Sequence, residues 1–383
     1  MARQPYFLRI SLVACAINLM ALPGCSDGST GEAPITPAPL GDPLTWDVKE
    51  PGLYTCGHRV LSTTYTPPSL PSRTIEVHVW YPSTAQGEVH TKYHGIFEDT
   101  IAYDDLPLAP TSWKAGMPVL VHSHGHMGFA GNSARIMCHF ASHGWLAVAP
   151  AHLGNLINDT PSKRPLATYI HRPFDIRASL DLVSNLPADD ELSGKADLTH
   201  VAMSGHSYGT YTTWAIAGAP IDVSSFETRC QAGDLADCTP EQLQALGGDI
   251  SDARAQIVIP MAGAPTSEFG FANMDTVKVP VLMMSGTLDT SAQPEIFAAL
   301  TKVDLTWTEF EGGCHQLFGS GNSLLGAPEC ADLPDEEGFQ LVNPWVLGYT
   351  RYHVWQDRTE FVKGIVEGTV SSSPKVHYQH KGP

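Results

Sequence analysis

The chain has 383 residues, 43% of them apolar and 16% charged, with 40 acidic against 22 basic side chains and a formal net charge of −18. This describes a soluble globular protein with enough length to bury a large core, for which one large domain suffices. The acidic excess excludes nucleic acid as a partner, because no basic patch is available to neutralise phosphates.

Residues 1–24 carry Arg3 and Arg9 ahead of an apolar stretch from Ile10 to Leu22. That is the pattern of a secretory signal, and it is too short to span a bilayer comfortably. Leu22-Pro23-Gly24-Cys25 resembles a bacterial lipobox, in which Cys25 would become the lipidated first residue. Proline before the glycine is unusual there, so ordinary cleavage nearby is the alternative. Losing residues 1–24 removes two arginines and no acid, leaving a charge of −20. Residues 25–45 are rich in Ser, Thr, Gly and Pro and read as a flexible tether. Residues 46–383 are then a single folded domain. The expected location is periplasmic, cell-surface or secreted, with the lipid anchor as the sole membrane attachment and the protein a monomer.

Eight cysteines are present, of which Cys15 and Cys25 fall in the leader. An even set of six in an exported body suggests disulfides. Cys230 with Cys238 and Cys314 with Cys330 are the economical local pairs, leaving Cys56 with Cys138, one of several connectivities that six cysteines allow.

In chain order, residues 52–65 and 73–81 read as an antiparallel pair of strands, the second alternating Ile75, Val77 and Val79 with polar or aromatic neighbours. Residues 83–116 lose periodicity and are expected to be an extended loop. Pro118-Val119-Leu120-Val121 is a buried strand, followed by a helix over 132–142 and a strand over 145–149. After an irregular stretch, Pro173 suits the first turn of a helix whose Ile176, Leu180 and Val183 share a face. An apolar strand then leads into Gly205-His206-Ser207-Tyr208-Gly209 and a helix carrying Tyr211, Trp214 and Ala215. Residues 220–252 are expected to be an insertion. Strands at 256–261, 279–285 and 305–310, a short helix at 294–300 and one or two helices over 339–363 complete the pattern. Alternating strands and helices imply an α/β fold with a mostly parallel central sheet covered by helices on both faces.

The stretch Gly205 to Gly209 is a G-x-S-x-G elbow. A serine alcohol is a poor nucleophile, so its oxygen must be exposed to a base while backbone amides await the oxyanion. A tight strand-to-helix turn does both, and Gly205 and Gly209 fit because a Cβ would collide with the adjoining helix or strand. A base and an orienting acid complete the set. Asp289 follows one buried strand and His315 follows the next, and the ends of parallel strands lie on one sheet edge. Asp304, Asp275 and Glu311 are competing acids. The backbone N–H of Tyr208 supplies one oxyanion donor and that of His126, after His124-Gly125, the other. His206 is read as packing beneath the elbow. Trp113 and Phe129 are aromatic candidates for the cleft rim, whereas Trp214 falls on a core-facing helical position.

The segments HSHGHMG, RPFDIRASLDLV, GHSYGTYTTWAIAGA, VPVLMMSGTLDT and FEGGCHQLF together resemble the dienelactone-hydrolase-like and platelet-activating-factor-acetylhydrolase-like branch of the α/β-hydrolases, near bacterial cutinase-type polyester hydrolases. The resemblance covers residues 50–365. It implies an exported carboxylic-ester hydrolase of the α/β-hydrolase fold, with Ser207, Asp289 and His315 as a triad and no cofactor. Asp175, although inside the resemblance, is read as structural. Dienelactone hydrolases proper use a cysteine nucleophile, so serine here points away from that substrate. Compact or short-acyl esters, polymeric ones among them, are the expected substrates, because no stretch carries the sustained apolar face of a lid helix. The competing readings are a serine peptidase of the prolyl-oligopeptidase-like type, a metal hydrolase using His122, His124 and His126, and a catalytically inactive binding module.

Overall fold

Strands that are buried on both faces must be apolar at nearly every position, and the central strands here are. In the computed structural model, which describes residues 38–159, 161–319 and 330–383, eleven strands build one mixed sheet. They are β1 (Thr55–Tyr65), β2 (Arg73–Ser83), β3 (His90–Tyr93), β4 (Phe97–Asp104), β5 (Met117–Ser123), β6 (Leu146–Pro150), β7 (Ala196–His206), β8 (Ala255–Met261), β9 (Val281–Gly286), β10 (Leu305–Phe310) and β11 (Val376–Lys381). Their order is β11-β10-β9-β8-β7-β5-β6-β2-β1-β4-β3. The run from β6 to β10 is parallel. β1 pairs antiparallel with β2, β2 with β6, and β11 with β10.

The period of two sends alternate side chains to opposite faces. Leu120, Ala202, Ile257 and Leu282 join the core under the helices α1 (Ala134–Ser142) and Asp335–Val354. Val119, Val121, Met203 and Val281 join the core under α2 (Ala167–Ser184) and α3 (Gly209–Ile216). The carboxyl ends of β5, β7, β9 and β10 all open on one edge, which gathers the loops at 124–128, 207–208, 287–292 and 311–319.

Several elements differ from the sequence expectation. The presumed loop at 83–116 contains β3 and β4, a polar hairpin at the sheet edge; β4 joins the sheet through only Ala102–Asp104 against Cys56–His58, so it needs no apolar repeat. α2 begins at Ala167, and Pro173 lies inside it. A proline there leaves the carbonyl of Tyr169 without its helical partner. The Tyr211 hydroxyl donates to that carbonyl at 2.7 Å, which satisfies the break. β11 is a half-exposed antiparallel edge strand beyond the last expected helix. Residues 220–252 fold as two short helices, Val223–Gln231 and Pro240–Leu246. Residues 38–45, placed in the expected tether, include a turn at Pro43–Thr45, within which the Leu44 carbonyl, like that of Trp46 just after it, accepts from Arg351. The leader, Cys25 and tether residues up to 37 lie outside the described residues.

The six body cysteines form Cys56–Cys138, Cys230–Cys238 and Cys314–Cys330, the pairing expected from their spacing. Three disulfides fit an oxidising compartment outside the cytosol. Among the described residues no helix is long and apolar enough to cross a membrane. Cys56–Cys138 links residues 82 apart and Cys230–Cys238 residues 8 apart. Loop-closure entropy gives about 4.5 kcal/mol for the first and about 2.6 for the second. Replacing Cys56 and Cys138 together by serine should therefore lower the melting temperature more than the same change at Cys230 and Cys238. Equal losses in a thermal melt would show that loop closure does not set their contributions.

Candidate active site

β7 ends at His206, and the chain turns into α3 within two residues. Ser207 takes φ +55°, a left-handed conformation that non-glycine residues rarely hold. The turn is fixed from outside: the Ser207 amide donates to Met261 O on β8 at 2.9 Å, and Ser207 O accepts from the amide and hydroxyl of Thr210. The two elbow glycines are steric necessities. A Cβ on Gly209 would lie 2.0 Å from Ser123 O, and one on Gly205 2.4 Å from Gly209 O. α3 therefore crosses β5 and β7 at a distance that only hydrogen atoms fit.

The turn delivers the Ser207 hydroxyl to His315, whose Nε2 is 2.8 Å from Ser207 Oγ. His315 Nδ1 is 3.2 Å from Asp289 Oδ1. Asp289 sits in the turn after β9, where its carboxylate also accepts from the Ser291 amide at 3.1 Å. Burial opposes its ionisation, but hydrogen bonds from His315 and Ser291 outweigh burial and hold the carboxyl below its ordinary range. Asp289 is thus a carboxylate at neutral pH, able to accept from Nδ1–H and leave Nε2 free to take a proton. The competing acids are placed elsewhere. Asp275 accepts from the Thr301 and Lys302 amides, Asp304 faces His380, and Glu311 faces His377.

His206 does more than pack. Its Nε2 donates to the backbone carbonyl of His315 at 2.8 Å, fastening the loop that carries His315. Burial pushes this imidazole down to about 4, so it stays a neutral donor. The loop is closed further by Cys314–Cys330. The histidine inside the elbow was visible in the sequence; its target, a backbone carbonyl, was not.

The amides of His126 and Tyr208 have no acceptor in the protein among the described residues. Gly125 brings the first to the site: a Cβ there would lie 3.1 Å from Ser207 Cβ. The alternating histidines do not converge on a point. His122 Nδ1 meets Ser204 Oγ at 2.9 Å, His124 Nδ1 donates to Gly125 O and its Nε2 accepts from the His152 amide, and His126 Nδ1 meets Asn155. Among the described residues no group of three ligating side chains could hold a metal ion.

Under the elbow lies a buried polar layer. Arg172 is fully buried and reaches Ser123, Thr212, Asn155 and the His124 carbonyl. Asp175, read as structural, accepts from Tyr65 and meets His152 Nδ1 at 2.8 Å, with no contact to Ser207. Burial pushes its carboxyl up to about 7 against the pull of Arg73, Tyr65 and Arg172. The aromatic candidates are not at the rim. Trp113 stacks on Trp355 and donates to Gly144 O, Phe129 is buried against Tyr93 and Phe97, and Trp214 is core. A cavity of about 610 Å³ lined by Tyr54, Ile101, His139 and Phe339 lies apart from the Ser207 cluster.

A mostly parallel sheet with a strand–serine–helix elbow and an aspartate and a histidine just past later strand ends is the α/β-hydrolase fold. A ferulic acid esterase from Streptomyces cinnamoneus is similar in structure, with a TM-score of 0.58 and 15% sequence identity over 87% of this chain and 98% of that one. Residues 103–227, from the end of β4 through the elbow, match the chlorophyllase family model. No curated protein matches the chain.

The elbow geometry makes a direct prediction. Gly209→Ala should force α3 away from β5 and slow labelling of Ser207 by a fluorophosphonate about a hundredfold, since displacements near 1 Å at a reacting centre cost that much. An unchanged labelling rate would show that the close approach is not required.

Proposed function

We propose that the protein is a serine carboxylic-ester hydrolase that works through an acyl-enzyme. The observation that carries this reading is the continuous relay from Ser207 Oγ to His315 Nε2 and from His315 Nδ1 to Asp289, with the serine held on a strained elbow. The likeness to the chlorophyllase model and to a ferulic acid esterase supports ester chemistry.

His315 removes the Ser207 proton as the oxygen attacks the ester carbonyl. The carbonyl oxygen becomes an anion between the amides of Tyr208 and His126, whose donors face it without reorganising. His315 returns the proton to the departing alcohol. Water, activated by the same imidazole, then attacks the acyl-enzyme and releases the acid.

The substrate reading is compact esters, polyester segments among them, at an exported location with or without a lipid on Cys25. The two helices of residues 220–252 support it, because each buries few apolar side chains and the Cys230–Cys238 disulfide ties the first to the segment that leads into the second, beside the Pro165–Ala236 bridge. Neither has the wide apolar face of a mobile lid. Leu288, next to Asp289, is 51% exposed and offers apolar surface for a short acyl chain.

Ser207→Ala should lose at least about a thousandfold in turnover of p-nitrophenyl acetate while keeping its melting temperature, and EDTA should leave the wild-type rate unchanged. Stoichiometric fluorophosphonate labelling of another serine, or zinc-reversible inhibition by EDTA, would refute the assignment. Across p-nitrophenyl esters of graded length, butyrate should be hydrolysed faster than palmitate. The reverse order, with activation at a lipid interface, would show that a lid exists.

A further inference from the structure

A chain of hydrogen bonds with a fixed direction runs from the buried layer to the rim of the site. Its source is Arg172, which is fully buried and can only donate. Arg172 Nη1 lies 2.6 Å from Asn155 Oδ1. Because a guanidinium has no acceptor, the amide oxygen of Asn155 must face it, and the amide NH2 must point the other way. There it meets His126 Nδ1 at 2.7 Å. Asn155 is 2% exposed and cannot exchange this arrangement for water. His126 Nδ1 therefore accepts, and the proton of the neutral ring sits on Nε2.

Three observations place this donor beside the reacting centre. His126 follows Gly125, which packs on the Ser207 side chain. Its ring stands edge-on to that of Tyr208 at 6.0 Å. The residue is exposed to solvent although part of the ring is buried, and Nε2 has no partner among the described residues. Burial, with the charges of Arg164 and Arg172, lowers the imidazole from its ordinary range, which keeps it neutral and its tautomer single. Arg164 adds positive charge on the same side, 3.9 Å over the Tyr208 ring and with no carboxylate within ion-pair distance among the described residues. The rim next to both proposed oxyanion amides thus offers a preset donor.

We propose that His126 Nε2–H is a substrate-binding donor, so that the site selects esters carrying a second oxygen acceptor (an ether, hydroxyl or further carbonyl oxygen) a few bonds from the scissile carbonyl over plain alkyl esters of the same size. This rests on the ester-hydrolase reading above. A donor left unpaired by an alkyl group loses its hydrogen bond to water without replacement, which is how polar sites discriminate. Repeating esters satisfy the requirement, since each scissile carbonyl has another in reach.

The test uses two size-matched pairs, p-nitrophenyl methoxyacetate against butyrate for the acyl side, and 2-methoxyethyl against butyl butyrate for the alcohol side. Each is corrected for its rate with hydroxide. In the wild type the oxygen-bearing member of at least one pair should be favoured about fivefold in kcat/KM, the value of one net hydrogen bond. His126→Phe should bring that ratio to about one. Asn155→Asp should do the same at pH 8, because a carboxylate accepts from both Arg172 and the ring, which moves the proton to Nδ1. Nitrogen-15 NMR of the ring reports the tautomer directly, and should show Nδ1 bare in the wild type and protonated in Asn155→Asp. A proton on Nδ1 in the wild type, no preference in either pair, or a preference that survives His126→Phe overturns the inference. Ser207-dependent hydrolysis without a His126-dependent preference overturns it alone. Absence of Ser207-dependent hydrolysis of all four esters overturns the ester-hydrolase reading with it.

Discussion

The site depends on the contact between α3 and the two strands it crosses. With a Cβ at Gly209 or Gly205 the helix could not approach β5 and β7, the turn would relax, and Ser207 would leave the left-handed region that aims its hydroxyl at His315. The strain of such a backbone persists only where surroundings over-determine it. Here they do, through the Met261 carbonyl, the two bonds from Thr210, and the sheet beneath. The placing of Ser207 opposite His315 is thus a consequence of close packing at two glycines.

His315 and Asp289 are held by different means. Asp289 is locked in a short turn by local bonds to its own neighbours. His315 sits on a longer loop and is pinned at its carbonyl by His206 and at Cys314 by a disulfide. Both attachments leave the His315 imidazole itself free, with Nε2 facing Ser207 Oγ. The residue preceding Ser207 can serve as the donor because burial pushes its imidazole down to about 4 and keeps it neutral near neutral pH.

The parts of this arrangement that follow from local pattern were legible in the sequence. The elbow announces itself by its glycines and the apolar run before it, and Asp289 and His315 are marked by their positions just past buried strands. Spacing favours the two local disulfides, and Cys56–Cys138, which joins residues 82 apart, was legible only as the pair left over. What was not legible depends on contacts between distant segments or on elements without a periodic signal. β3, β4 and β11 lie at sheet edges, where polar side chains carry no repeat. Pro173 looked like a helix start because the hydroxyl that repairs the helix comes from Tyr211, 38 positions later. Asn155 stood in a stretch read as irregular and Arg172 just ahead of the expected helix start at Pro173, and neither had a reason to meet a histidine after β5.

Arg172 brings those distant pieces into one device. Its guanidinium lies 4.7 Å from the centre of the Tyr208 ring and binds the amide oxygen of Asn155, which in turn holds the His126 ring. The two residues proposed to supply the oxyanion amides are thus both anchored, by their side chains, to one buried cation. Burying a charge is costly, and a well-packed apolar residue of similar volume often stabilises a fold as well or better. An apolar side chain, however, has no fixed direction of hydrogen bonding and could not set the orientation of the Asn155 amide. Arg172 also binds Ser123 and the His124 carbonyl, at the very end of β5, so the cation that orients the rim is tied to the strand that α3 crosses. Rim, elbow and sheet therefore share one reference point, and movement of any of them would have to break bonds to a buried guanidinium that has no water to replace them.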